Sequence, residues 1–153
     1  MTPTHRGTFE LRDHTADIAL HVRGASIESL FVTAADGLYA TIGDLRCPPV
    51  ADPAIATPQA AARESITLHA ADREGLLHHF LSELLYRFEI RHQRLSAFDF
   101  DTFDDTALTV SADVAAVNMD ASVMDREVKA VTYHDLRIIQ SAGGYEVTIV
   151  LDI

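Results

Sequence analysis

The stretch DHTADIALHVRGASIESLFVTAADGLYATIG, residues 13–43, contains the clearest strand and the clearest helix of the chain. Ile18, Leu20 and Val22 alternate with other residues, which predicts a strand with one buried face. The residues before them, DHTAD at 13–17, do not alternate and are rich in titratable side chains. Asp, His and Thr commonly satisfy free backbone groups in a turn that enters a strand, so this segment is either a polar turn or a functional site.

The second half of the same stretch predicts an amphipathic helix. Ser26 is expected to be the N-cap, and Glu28 places an acid in the first turn. Gly43 is expected to end the helix. The apolar residues recur at helical spacing and predict a face buried in the core. These residues are Ile27, Leu30, Phe31, Ala34, Ala35, Leu38 and Ile42.

A second helix is predicted after Asp72, which is expected to be its N-cap. Its apolar stripe consists of Leu76, Leu77, Phe80, Leu81, Leu84, Leu85 and Phe88. His78 and His79 lie on the other flank with Glu83 and Arg87. Because a zinc pair on a helix needs a spacing of three or four residues, the adjacent histidines predict a solvated face.

Alternating patterns predict strands at residues 9–11, 17–23, 64–70, 95–103, 107–117 and 145–153. Residues 44–63 hold four of the five prolines and are interpreted as a long surface connection. The order of elements predicts an α/β protein of the α+β type, with residues 1–153 forming a single domain. In it, two amphipathic helices pack on a mainly antiparallel or mixed sheet in strand–helix–strand units.

The composition restricts the classes of function. The chain has 153 residues and a net charge of −11, which argues against direct, strong binding of nucleic acid. The first residues do not resemble a secretory signal, and no apolar run reaches the roughly 18 residues of a membrane helix. We therefore expect a cytoplasmic protein that does not associate with a membrane. The single cysteine, Cys47, cannot form an internal disulfide or a cysteine zinc site and is interpreted as an incidental loop thiol.

Polar groups concentrate in three stretches: DHTAD at 13–17, KAVTYHD at 129–135 and LDI at 151–153. Carboxylates that lie close together repel unless a cation or water separates them. In the last stretch, Asp152 lies beside the terminal carboxylate, so a cation could lie between the two. The alternative for this stretch is a frayed, solvated terminus. The chain has no glycine-rich phosphate loop, nucleophile elbow or HExxH motif, which weakens a hydrolase interpretation.

Four segments resemble the archease family, in order and over nearly the whole chain. They are FELRDHTADIALHVRGASIESLF (9–31), GLLHHFLSELLYRFE (75–89), EVKAVTYHDLRI (127–138) and GGYEVTIVLDI (143–153). The resemblance implies a small protein that assists an RtcB-type RNA ligase in tRNA splicing and RNA repair. Such a protein promotes guanylylation of the ligase and multiple turnover, and is not itself an enzyme.

The resemblance also implies a metal site. Asp17, Asp152 and Ile153 correspond to the family's ligands, with Ile153 contributing a backbone or terminal oxygen. An all-oxygen, anionic set suits a hard cation such as Ca²⁺, Mg²⁺ or Mn²⁺.

Four further residues are expected to support this site or contact the partner: Asp13, His14, Lys129 and His134. Lys129 is the only lysine of the chain and matches the lysine that the family uses in activation. Without the resemblance, a solvent-facing strand lysine is an equal interpretation. Two alternatives remain: a metal-dependent phosphoester hydrolase using Asp17 with His14 or His134, and a chaperone or adaptor of RNA-modifying enzymes.

Overall fold

The computed structural model of the chain describes residues 6–14, 17–47 and 62–153. In these residues there are two helices, α1 (Ile27–Ile42) and α2 (Arg73–Arg91). The strands in chain order are β1 (Thr8–His14), β2 (Asp17–Gly24), β3 (Gly43–Asp44), β4 (Ala62–His69), β5 (Gln93–Phe103), β6 (Ala107–Ala116), β7 (Val123–Met124), β8 (Ala130–Val131), β9 (Ile139–Ser141) and β10 (Gly144–Asp152).

All pairings among the described strands are antiparallel. A five-stranded sheet has the order β1-β2-β10-β8, and β9 pairs with β10 as well. A three-stranded sheet has the order β4-β6-β5, and β3 pairs with β7. The predicted α+β class is confirmed, with the strands divided between separate sheets. Sequence periodicity indicates strands but not which sheet each strand joins.

Both predicted helix starts are confirmed by hydrogen bonds. The Ser26 hydroxyl accepts from the Ser29 N–H at 3.1 Å, and the Asp72 carboxylate accepts from the Gly75 N–H at 2.7 Å. Gly43 ends α1 with a positive φ of 155°, and a Cβ there would collide with the Val123 carbonyl oxygen. Glycine therefore lets the end of α1 pass directly into the pairing of β3 with β7.

The apolar stripes of the two helices meet the sheets in one core. Phe31 of α1 lies 5.6 Å from Phe80 of α2 and 4.9 Å from Phe103 of β5, measured between ring centroids. Tyr39 of α1 is also buried, and its hydroxyl accepts a hydrogen bond from the Leu95 N–H of β5 at 3.0 Å. Burial raises the pKa of Tyr39 to about 12, so the hydroxyl remains protonated at neutral pH.

Most of the surface connection predicted at residues 44–63 lies outside the described residues, which omit 48–61. Cys47, at the edge of this gap, is partly buried and packs against the core. Neither α1 nor α2, the helices of the described ranges, combines the length and the hydropathy that crossing a membrane requires.

Replacing Tyr39 with Phe should destabilise the protein by about 1–3 kcal/mol. The change keeps the ring but leaves the buried Leu95 N–H without its acceptor, and an unpaired buried donor carries that cost. Urea denaturation measures the free energy of unfolding. Tyr86→Phe is the matched control because Tyr86 is 50% exposed on α2, and it should change stability by less than about 0.5 kcal/mol. Equal effects of the two substitutions would contradict a stabilising role for the Tyr39 hydroxyl.

Candidate functional site

Two of the predicted metal ligands lie opposite each other on neighbouring strands. Asp17 at the start of β2 pairs with Asp152 at the end of β10. On the far sides of these strands, His14 pairs with Asp17 and Ala130 pairs with Asp152. Directly opposed residues of antiparallel strands lie on the same side of the sheet, with Cβ atoms about 4.5–5.5 Å apart. The pairing therefore brings two acids that are far apart in the sequence together at one end of these paired strands.

The adjacent row of residues explains which side of the sheet these acids occupy. Ile18, Leu151 and Val131 pair across the same strands, and all three are buried in the core. Because successive residues of a strand alternate between faces, Asp17 and Asp152 lie on the face turned away from that core. Both are partly exposed, so they remain accessible to solvent.

Lys129 is joined to this row through its backbone. Its N–H donates to the Asp152 carbonyl oxygen at 2.7 Å, immediately before β8 begins. The residue itself is exposed. The main chain at Lys129 is thus fixed to Asp152 while the side chain can reach solvent or another molecule.

The donor set of the predicted site is compatible with a hard cation but is small. Asp17 and Asp152 supply carboxylate oxygens, whereas the side chain of Ile153 packs against the core, leaving only main-chain oxygens as donors. Among the side chains that the structure describes, those of residues 6–12, 17–47 and 62–153, no group of three or more His, Cys, Asp or Glu is arranged to hold a metal ion. Of the predicted ligands Asp17, Asp152 and Ile153, only the two aspartates have side chains of these types. The metal site therefore stays a prediction.

The structure describes only the backbone of two of the supporting residues, Asp13 and His14. The backbone of Asp13 pairs with Ile18, and that of His14 with Asp17, at the end of the β1–β2 hairpin. The roles predicted for the side chains of Asp13 and His14 lie outside the described part of the chain, as do residues 15 and 16.

His134 lies in the turn between β8 and β9. Its Nε2 is 3.2 Å from an Asp135 carboxylate oxygen, and both residues are exposed. Its backbone N–H donates to the Thr132 hydroxyl at 3.3 Å. Asp135 has a left-handed backbone conformation with φ of 49°, as is common for aspartate in a tight turn. These contacts define the turn, and the predicted partner contact of His134 stays a prediction.

The prediction that both adjacent histidines of α2 lie on a solvated face is wrong for His78. His78 is partly buried, and its Nε2 lies 2.8 Å from the Val131 carbonyl oxygen. Its ring stacks on Tyr133, with ring centroids 3.8 Å apart and an interplanar angle of 13°. Burial lowers the pKa of His78, the bond to Val131 opposes this shift, and the neighbouring His79 lowers the pKa further. Only His79 is exposed, with its Nδ1 2.9 Å from the His69 carbonyl oxygen.

Comparison with known proteins places this chain in a family. The family model described as Archease protein family (MTH1598/TM1083) matches residues 9–153. Protein archease of Methanosarcina barkeri is 32% identical over 149 residues, which cover 95% of this chain and 95% of that protein. Protein archease-like of Drosophila melanogaster is 28% identical over 153 residues, covering 95% of this chain and 90% of that protein.

Two solved structures share the fold. The solution structure of Methanobacterium thermoautotrophicum protein 1598 has a TM-score of 0.68 and 26% identity, covering 95% of this chain and 98% of that one. The crystal structure of an archease from Thermotoga maritima, described as a possible chaperone, has a TM-score of 0.63 over 97% of this chain and 100% of that one. Its identity of 17% supports the fold alone. Since the family match covers nearly every residue, this chain belongs to the archease family.

Proposed function

We propose that this chain is a non-catalytic activator of an RtcB-type RNA ligase in tRNA splicing and RNA repair. In this role it promotes guanylylation of the ligase and thereby sustains multiple turnover. The observation that carries the proposal is the cross-strand pairing of Asp17 with Asp152 beside Lys129, in a chain of the archease family. These are the positions to which the family resemblance assigns the metal site and the activating lysine.

We further propose that Asp17, Asp152 and an oxygen of Ile153 bind a divalent cation. Carboxylate and main-chain oxygens are the donors preferred by Ca²⁺, Mg²⁺ and Mn²⁺, and the chemistry of this set fits such ions. When bound, the ion would supply positive charge between two carboxylates and coordination positions for water or a group of the partner. Asp17 and Asp152 would bind it, and Lys129 would remain outside the ligand set because an ammonium group has no lone pair to donate.

Charge supports a protein partner as the direct contact. The net charge of −11 disfavours direct binding of RNA, whose phosphates attract clustered cations. The one lysine, Lys129, is exposed at the end of the sheet that carries the two acids. A single point charge there is suited to holding a phosphate or a carboxylate during assembly with the ligase.

Asp152→Asn should reduce Ca²⁺ or Mn²⁺ affinity by more than about tenfold and reduce ligase activation in parallel. Loss of one of two carboxylates removes more binding energy than the loss of a group that only orients a ligand, which itself costs about 10–100-fold. Isothermal titration calorimetry measures metal affinity, and incorporation of labelled GTP into the ligase measures guanylylation. Asp17→Asn should have the same two effects.

The matched control for both substitutions is Asp101→Asn. Asp101 is an exposed strand carboxylate on the three-stranded sheet, where it accepts a hydrogen bond from the Ser111 hydroxyl that asparagine also accepts. It should leave metal affinity and activation unchanged. Normal activation by Asp17→Asn and Asp152→Asn at saturating metal would refute the assignment of these two residues.

Lys129→Ala should abolish most of the activation while changing metal affinity by less than about threefold. The substitution removes the charge of an exposed side chain, and the main-chain bond to Asp152 is retained because it uses the backbone N–H. The same calorimetric and guanylylation assays separate the two effects. An equal loss of metal binding and activation would mean that Lys129 organises the metal site and does not act on the partner.

The activation assay also distinguishes the two other functions. A phosphoester hydrolase that uses Asp17 with His14 or His134 would show turnover by the isolated protein with Mn²⁺ or Mg²⁺, whereas an activator shows none. A chaperone or adaptor would leave ligase guanylylation unchanged and would instead recover an RNA-modifying enzyme, such as a methyltransferase, in a pull-down. Either result would replace the ligase proposal.

A further inference from the structure

Helix α2 holds the segment between β8 and β9 at both of its ends. Near the start of this segment, His78 contacts the Val131 carbonyl oxygen, as described above. At its far end, the Glu74 carboxylate accepts from the Ile138 N–H at 3.1 Å. Glu74 and His78 are four residues apart and therefore lie on one face of α2. One helical turn thus spans the two anchor points of residues 131–138.

The ring of His78 makes two contacts of different kinds. The Val131 oxygen can only accept a hydrogen bond, so Nε2 must carry the proton and donate. The flat face of the same ring is stacked on Tyr133. The other nitrogen, Nδ1, is buried and has no hydrogen-bond partner among the described residues. Protonation would place an unpaired N–H there, so the neutral ring is the form that fits this site.

Tyr133 is held by this stack and is nevertheless 56% exposed. Its carbonyl oxygen accepts from the Leu136 N–H at 3.1 Å, which closes the turn beneath it. The preceding residue, Thr132, donates both its N–H and its hydroxyl to the Val150 carbonyl oxygen of β10. An exposed aromatic side chain with a fixed backbone and one covered face loses little conformational entropy on binding.

We infer that His78 is a positioning residue that orders residues 131–138 and fixes Tyr133, four residues after Lys129 in the chain, as a preformed aromatic contact for the partner. The identity of the partner in this inference rests on the proposed function. The ordering of the segment by His78 rests on the structure alone. His78 acts through Val131 and Tyr133 and does not itself touch the partner. Tyrosine is one of the residue types enriched among the few side chains that contribute most of the binding energy of an interface.

The ordering of the segment is tested without the ligase by hydrogen exchange. His78→Gln keeps an N–H donor within reach of Val131 but removes the ring, whereas His78→Phe keeps a ring for the stack but removes the donor. Both should accelerate amide exchange in residues 131–138 by at least about threefold, with exchange in α1 unchanged. His79→Gln, on the neighbouring exposed histidine, is the control and should have no effect. Unchanged exchange in both His78 variants would overturn the inference.

The contact with the partner is tested by titrating each variant into the ligase guanylylation assay. Tyr133→Ala should raise the concentration for half-maximal activation by about tenfold without lowering the maximal rate, as expected for loss of a binding contact. Tyr133→Phe retains the ring and should behave as wild type. His78→Gln should raise the same concentration by about threefold.

A double substitution distinguishes positioning from a general structural effect. If His78 acts through Tyr133, the variant with His78→Gln and Tyr133→Ala should match Tyr133→Ala alone. If instead the double variant raises the concentration for half-maximal activation by the product of the two single effects, His78 does not act by positioning Tyr133. If the wild-type chain fails to activate the ligase, the proposed function is wrong, while the exchange measurements still decide whether His78 orders the segment.

Discussion

The antiparallel pairing of β2 with β10 is the constraint on which the candidate site depends. Leu20 is paired with Ile149 and Val22 with Val147, and all four side chains are buried. A slip of one residue would turn these side chains out of the core and polar neighbours into it, so the hydrophobic pattern fixes the register. The position of Asp17 opposite Asp152 follows from that register. Burial of aliphatic side chains therefore places two partly exposed acids opposite each other.

Strand β10 also explains why residues 132–138 need support from another element. Both β8 and β9 pair with β10, at opposite ends of one edge, and the chain between them leaves the sheet. Without ladder partners, its backbone groups require hydrogen bonds from elsewhere. Glu74 of α2 supplies one of them, to the Ile138 N–H, and His78 bonds the carbonyl oxygen of Val131 just before this segment. The helix thus buries one face in the core and uses its flank to hold a loop.

Features that depend on residues close together in the sequence could be predicted from it. Features that depend on contacts between distant residues could not. The N-caps Ser26 and Asp72 were predictable because each bonds an N–H three residues away. The apolar stripes were predictable because helical spacing reveals them. The role of His78 was not, because its partner, Val131, lies 53 residues further along the chain and is a backbone carbonyl. Two adjacent histidines look alike in sequence, and only tertiary packing distinguishes the partly buried His78 from the exposed His79.

Lys129 and Tyr133 illustrate two ways of presenting a side chain from one short segment. At Lys129 the main chain is fixed by the bond to Asp152, while the long, exposed side chain retains its rotamers. At Tyr133 the ring itself is held by the His78 stack. A flexible charge tolerates variation in the position of its target, whereas a fixed ring selects for shape. A segment that carries both can combine electrostatic attraction with geometric discrimination, because the two properties reside in different residues on one ordered backbone.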